Sequence, residues 1–299
     1  MTKLALQVLY YNCQDWILPM LHNCGPFVDK IFVSYNPYPW TYNKEAREKY
    51  KNRADKNVVF QSKYASKIQL VEGVWPTEEA QRNHVLQLAR KEGFDFMIVQ
   101  DADEFYLPED YQTNIRQMID APENLYYRNP WKLFWKDFTH VILFDEVHGE
   151  RNTTTNFNPC FAVNLKKEVH FTRNRLVNTT DARMLEGLCL HMSYILSDEE
   201  VLEKLNTWGH AQDVKHLQKW YRFKWLGWDE HTIFINPMNP VGWLKAIPYH
   251  GRLPEEISSL VGKDNKYRSL NYNEKIAEYW YNIYSLIIYN LRRIKQKLF

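Results

Sequence analysis

Apolar and polar positions alternate in short blocks over the first third of the chain. "LALQVLYY", from Leu4, is a brief run of large apolar side chains of strand length, and "WILPMLHNC" after it reads as a helix. "KIFVSYN" reads as a second strand, while "NVVFQSKY" and "KIQLVEGV" form weaker strand candidates around Ser62 to Ser66. Residues 77–93, "TEEAQRNHVLQLARKEG", predict a helix: Thr77 at the cap, Glu78 and Glu79 in the first turn, apolar Ala80, Val85, Leu88 and Ala89 on one side, and Gly93 at the stop. That helix delivers the chain into "FDFMIVQ", a further strand. Strands alternating with helices predict an α/β fold built on an open sheet with parallel neighbours.

After about residue 121 the texture changes. "NLYYRNPWKLFWKDFTHVIL" and "NPCFAVNLKKEVHFT" look β-rich and partly exposed, and "SDEEVLEKLNTWGH" predicts a helix with Ser197 and Glu200 at capping-box spacing. A last helix is expected over about 274–297, aromatic first and basic at its end, packed on the body rather than laid on a membrane. No repeat or Pro/Gly/Ser linker interrupts the chain, so residues 1–120 and 121–270 are expected to be halves of one compact body, with 271–299 an added helix.

Lys and Arg number 38 against 36 Asp and Glu, a net charge of only +2, which excludes a globally basic nucleic-acid packaging protein. With 11 Trp and 20 Tyr, the chain carries more flat aromatic surface than a core needs, of the kind on which sugars and bases stack. Cys13, Cys24, Cys160 and Cys189 form no C-x-x-C pair, which points to reduced thiols in a cytoplasm. The apolar run at the N-terminus is too short for a signal core, and no stretch reaches the ~18 residues of a membrane span.

The chemistry concentrates in "IVQDADEFYLP", where Asp101, Asp103 and Glu104 crowd the end of an apolar strand. Like charges this close cost stability unless something positive sits among them. Strand periodicity puts Asp101 and Asp103 on one side, at the strand end where open α/β sheets form their ligand crevice. Two such oxygens suit Mg²⁺ or Mn²⁺, whose shell is commonly completed by substrate phosphates, and so predict a diphosphate ligand. The alternative is a merely polar loop after a core strand.

"IVQDADEFYLP" also resembles the D-x-D motif, in its D-x-D-E-F form, of GT-A-fold glycosyltransferases of the family 2 type. Upstream, "VLYYNCQDWILPML", "DKIFVSYN" and "AQRNHVLQLARKEGFDFMIVQDADEF" are similar to that family's first strand and loop, second strand, and helix into the motif, over roughly residues 4–110. The resemblance implies a Rossmann-like mixed sheet with helices on both faces and an acceptor-side C-terminal half. It implies that Asp103 ligates the metal, that Asp101 contacts the ribose or reaches the metal through water, and that Arg82 and Asn83 lie near the nucleotide. Asn12 and Asp15 would border the base, where the family often has Glu in place of this chain's Cys13 or Gln14. The donor is expected to be a nucleotide sugar, a UDP-sugar foremost. Such enzymes commonly complete the metal shell with a histidine of the second half: His191, with His210 and His250 as rivals.

An inverting transfer needs a carboxylate base. Asp145, Glu146, Asp181, Glu186 and Asp229 are available, and Glu186 is preferred for its closeness in sequence to His191. A retaining transfer needs none. "VKHLQKWYRFKWLGW" is either a basic aromatic surface for phosphates and rings, or an amphipathic helix with aromatics inward and cations outward. The acceptor is a glycan or lipid-linked saccharide, or a hydroxymethylated base in DNA. Competing classes are a D-x-D phosphohydrolase or phosphotransferase, and a noncatalytic nucleic-acid-binding protein.

Overall fold

The computed structural model describes residues 2–40, 44–147, 150–156, 160–207, 214, 216–261 and 268–298. Its N-terminal part is built from strands β1 (Leu4–Tyr10), β2 (Lys30–Tyr35), β3 (Ile68–Glu72), β4 (Phe96–Val99) and β5 (Glu104–Tyr106), with helices α1 (Gln14–Cys24), α2 (Lys44–Lys49), α3 (Glu78–Lys91) and α4 (Pro108–Ile119). The rest adds β6 (Tyr126–Arg128), β7 (Trp131–Trp135), β8 (His140–Val147), β9 (Glu150–Thr153), β10 (Cys160–Asn164), β11 (Phe171–Arg173), β12 (Leu176–Val177), β13 (Ala182–Met184), β14 (Cys189–Tyr194) and β15 (Trp243–Pro248). Three helices complete it: α5 (Asp198–Thr207), α6 (Leu217–Trp220) and α7 (Tyr272–Leu298).

The central sheet runs β13-β6-β10-β4-β1-β2-β3. Its β4-β1-β2-β3 side is parallel, and β10 enters antiparallel between β4 and β6, so the sheet is mixed. All seven positions of β1 are buried, because both faces are covered. Ile17, Met20 and Leu21 of α1 and Met118 of α4 pack with Leu6, Val8 and Ile98 on one face. Val85, Leu86 and Ala89 of α3 pack with Ala5, Phe32 and Met97 on the other. The α/β architecture is thus a mixed sheet with helices on both faces.

A second sheet, β15-β8-β7-β14-β5 with β9 paired to β8, starts where the first ends. The turn between β4 and β5 carries the chain from one sheet to the other. Above this sheet, Trp135 meets Tyr194, Trp220 and Trp225 in a cluster closed by Val201 and Leu205 of α5. The basic aromatic stretch therefore belongs mainly to the core, as α6 and a π-helical turn over Tyr221–Leu226. Its cations depart from simple amphipathicity: Lys224 is fully buried, with its Nζ donating to Glu278, Asn282 and the Ile233 carbonyl.

One expectation fails locally. Residues 57–64, read as a weak strand candidate, instead begin in a 3-10 helix over Lys56–Gln61 whose cap is Asp55, accepting from the Asn57 N–H at 2.9 Å. The terminal helix does pack on the body, but with its polar side: Tyr279 and Trp280 face outward.

Candidate active site

The parallel strands change direction of progression at β1. The chain builds β2 and β3 to one side, then crosses through α3 to lay β4 on the other. The carboxyl ends of β1 and β4 are therefore the topological switch point of the sheet, the usual ligand crevice of open α/β folds. Asn12 and Asp15 follow β1 there, and Asp101 and Asp103 follow β4.

Strand register supplies the histidine. β14 runs antiparallel to β5 with His191 opposite Glu104, and the Met192 N–H donates to the Asp103 carbonyl at 2.8 Å. This places His191 Nε2 3.4 Å from Asp103 Oδ1. Octahedral Mg²⁺ or Mn²⁺ with ligands near 2.1 Å holds adjacent donors about 3 Å apart, so an oxygen and an imidazole nitrogen at this spacing fit one hard or borderline divalent ion. Lys204 Nζ stands 3.7 Å from the other Asp103 oxygen and is held by the Ser193 carbonyl and hydroxyl at 2.8 and 2.6 Å. Burial raises the Asp103 pKa, but His191 and Lys204 outweigh it and hold the carboxyl below its ordinary range.

The other two carboxylates are neutralised by the protein itself, so the positive groups beside Asp101 and Glu104 are arginines of the chain. Arg82, fully buried on α3, donates to Asp101 Oδ1 at 2.9 Å and to Glu78. Arg175, in the turn between β11 and β12, pairs with Glu104, reaches Asp101 Oδ2 at 3.4 Å, and donates to the carbonyls of Val99 and Cys160 at 2.8 and 2.7 Å. Burial pushes Asp101 upward, yet Arg82 and Arg175 bring it below the usual carboxylate range. Glu104 stays raised, because its burial exceeds what Arg175 returns. Among the described residues no three His, Cys, Asp or Glu side chains converge into a closed metal site. The Asp103 and His191 pair leaves the rest of any coordination shell to water or ligand.

Several polar atoms around this turn are enclosed without a hydrogen-bond partner: Arg82 Nη1, Glu104 Oε2, Trp131 Nε1, Arg175 Nε and His191 Nδ1. Each such atom costs roughly 1–3 kcal/mol, and a concentration of them marks a site completed by water or ligand rather than an ordinary core. The Trp131 ring packs against His191 with centroids 4.4 Å apart and lies under the Arg175 guanidinium at 5.4 Å.

The remaining predicted residues divide. Asn12, in the left-handed region at φ 47°, accepts from the Arg53 N–H at 2.6 Å and donates to Glu203 of α5, closing the second half against the β1 loop. Asp15 lies in the first turn of α1 at the same strand end. Asn83 spends both ends of its amide on the backbone of Phe171, at 2.8 Å each, so it anchors the hairpin that carries Arg175. Glu186 is not brought to the cluster: it is exposed, its N–H bonds Gln117 of α4 at 3.0 Å, and β14 carries His191 away from it over up to about 16 Å of chain. His250 is exposed beyond β15, and His210 lies outside the described residues. Arg175, Lys204 and Trp131 went unpredicted. Nothing in "TRNRLV" separates Arg175 from a solvated turn residue; only the antiparallel insertion of β10 beside β4 brings that hairpin over the acidic turn.

No protein-family model and no curated protein sequence matches the chain. Solved structures that are similar include mannose-1-phosphate geranyltransferase from Thermus thermophilus, at 15% identity and TM-score 0.33 over 56% of this chain and 58% of that one. The 1–349 form of S. aureus TarS is similar at 12% identity and TM-score 0.36, over 76% of this chain and 79% of that one. Glucosyl-3-phosphoglycerate synthase from Mycobacterium tuberculosis, solved with Mn²⁺, UDP and glucosyl-3-phosphoglycerate, gives 14% identity and TM-score 0.31 over 45% and 44%. The chain spans about half the length of the first and third of these, at 58% and 44%. Likenesses this faint leave function to be argued from the site.

Proposed function

We propose that the protein is a metal-dependent glycosyltransferase of the GT-A type, moving a sugar from a nucleotide-sugar donor, foremost a UDP-sugar, to a hydroxyl acceptor. One observation carries the reading: Asp103 and His191, from different strands, stand 3.4 Å apart at the switch point of a mixed α/β sheet, with 22% of the Asp103 side chain and 11% of the His191 side chain exposed. Asp103 and His191 would hold Mn²⁺ or Mg²⁺, with the donor's diphosphate and water filling the remaining positions. When bound, the ion offsets the charge that gathers on the departing nucleoside diphosphate.

The chain's own residues supply orientation. Asp101, braced by Arg82 and Arg175 yet 29% exposed, presents a fixed carboxylate toward the ribose. Asn12 and Asp15 border the base, and Lys204 offers a positive group beside Asp103 to a phosphate oxygen. Arg175 holds Glu104 and the ends of β4 and β10 in place, bracing the turn that carries Asp101 and Asp103.

Thermal melting with UDP, GDP and CDP, each with and without Mn²⁺, tests this. Ligand at about a hundred times its Kd stabilises by ~2.7 kcal/mol, equivalent to about 4 °C for a chain of this length. The expected result is such a rise for one nucleotide, UDP, and only when metal is present. A melting temperature indifferent to all three nucleotides overturns the reading.

A further inference from the structure

Helix α7 is mounted the opposite way from a core helix. Its inward side carries Glu274, Glu278, Asn282 and Ser285, at intervals of four, four and three residues, beside Tyr281, which packs on Phe223 and Leu270, and the first three bind the body by polar contacts. Glu274 accepts from Arg222 and Arg268 at 2.8 and 2.6 Å, and Lys224 donates to Glu278 and Asn282 at 2.7 and 2.6 Å. The apolar stripe faces away. Ile276, Trp280, Ile287, Leu291 and Ile294 fall within about 60° of one another around the helix, and Trp280, Ile287 and Leu291 are 63%, 53% and 58% exposed. Polar groups are satisfied against protein, while a continuous aliphatic and aromatic face is left to the surroundings. A contiguous exposed apolar face on a folded chain marks a docking surface.

The charge pattern selects the occupant. From residue 279 to the last, the sequence holds no Asp or Glu and four cations, Arg292, Arg293, Lys295 and Lys297. A second copy of this chain would bring a like-charged segment to the contact, whereas anionic headgroups complement it. Tyr279 and Trp280, with polar edges on apolar rings, belong at the level where headgroups meet acyl chains. Among the described residues no helix is long and apolar enough to cross a membrane, so this helix would lie in the plane of the interface. We propose that α7 docks the protein on an anionic lipid surface through the face of Ile276, Trp280, Ile287, Leu291 and Ile294. This assignment stands apart from the chemistry of the Asp103 site.

Flotation of the full chain with vesicles of phosphatidylcholine, and of phosphatidylcholine mixed with phosphatidylglycerol, tests it. Ile287→Glu and Trp280→Glu sit on the outward face, so their folding is checked by an unchanged melting curve, and light scattering reports oligomeric state. The expected result is a monomer that floats with the anionic vesicles, is released by high salt, and partitions at least about tenfold less in either variant. Failure to float overturns the proposal, as does flotation that Ile287→Glu leaves unchanged. A dimer dissociated by Ile287→Glu overturns it in favour of a second copy.

Discussion

Arg175 is the residue on which the architecture of the acidic turn depends most. It pairs with Glu104, which is completely buried, and binds the carbonyls of Val99 and Cys160, joining the ends of β4 and β10. Arg175→Met keeps the bulk of the side chain but strips the fork of donors, leaving a buried carboxylate uncompensated. Removing one partner of a buried pair costs about 3–5 kcal/mol, far more than the pair itself contributes. Taking ~4 kcal/mol and an unfolding entropy near 2.1 cal/mol/K per residue, the melting temperature should fall by about 6 °C. Glu104→Gln removes the charge that needs compensating, so the double variant should recover about 2 kcal/mol or more relative to the sum of the single losses. Urea unfolding of the four proteins measures both quantities. A loss below about 1 kcal/mol for Arg175→Met, or strict additivity in the double variant, would refute the view that Arg175 rather than a cation neutralises Glu104.

Trp135→Ala should destabilise by about 3–5 kcal/mol in denaturant unfolding, because the ring is fully enclosed by Tyr194, Trp220, Trp225 and Trp243. A much smaller loss would show that the aromatic cluster collapses around the hole. Burial draws the Lys136 pKa down from 10.5 to about 8, against the pull of Asp198. Between those pH values the unfolded chain binds the extra proton, so wild-type stability should rise relative to Lys136→Met as pH climbs from 8 toward 10.5, by at most about 3 kcal/mol. A stability difference flat across that window would contradict the assignment. Thr77→Ala should cost about 1 kcal/mol by uncapping α3, whose Ala80 N–H donates to Thr77 Oγ1 at 3.3 Å, and hydrogen exchange in the first turn of α3 would report it.

The elements most legible in the sequence were those whose signals are local. Apolar runs at Leu4 and Phe96, and the Thr77 cap and Gly93 stop of α3, determine structure within a few residues, and the strand-to-turn passage at Asp101 follows from them. Residues 56–61 misled because their apolar run buries only Val59, and a capping Asp55 turned the backbone instead. Arg175 was illegible for a different reason: its partners lie 71 and 74 residues away in the chain, and a turn arginine looks the same whether it meets solvent or Glu104. In α7 the aromatic run and the basic end were plain, but which side would turn inward depended on Arg222, Lys224 and Arg268 finding Glu274 and Glu278. No periodicity encodes that choice.

The central claim is that Asp103 and His191 together hold a divalent ion only when a nucleoside diphosphate is present to complete its shell. Electron paramagnetic resonance of free Mn²⁺ tests it directly, since the aqueous signal disappears as the ion binds. Titrating the protein with Mn²⁺ in saturating UDP should remove one equivalent of signal. That loss should require UDP, vanish in Asp103→Asn, and weaken at least about tenfold in His191→Gln. A signal undiminished by protein and UDP, or a loss that Asp103→Asn leaves intact, would contradict the account.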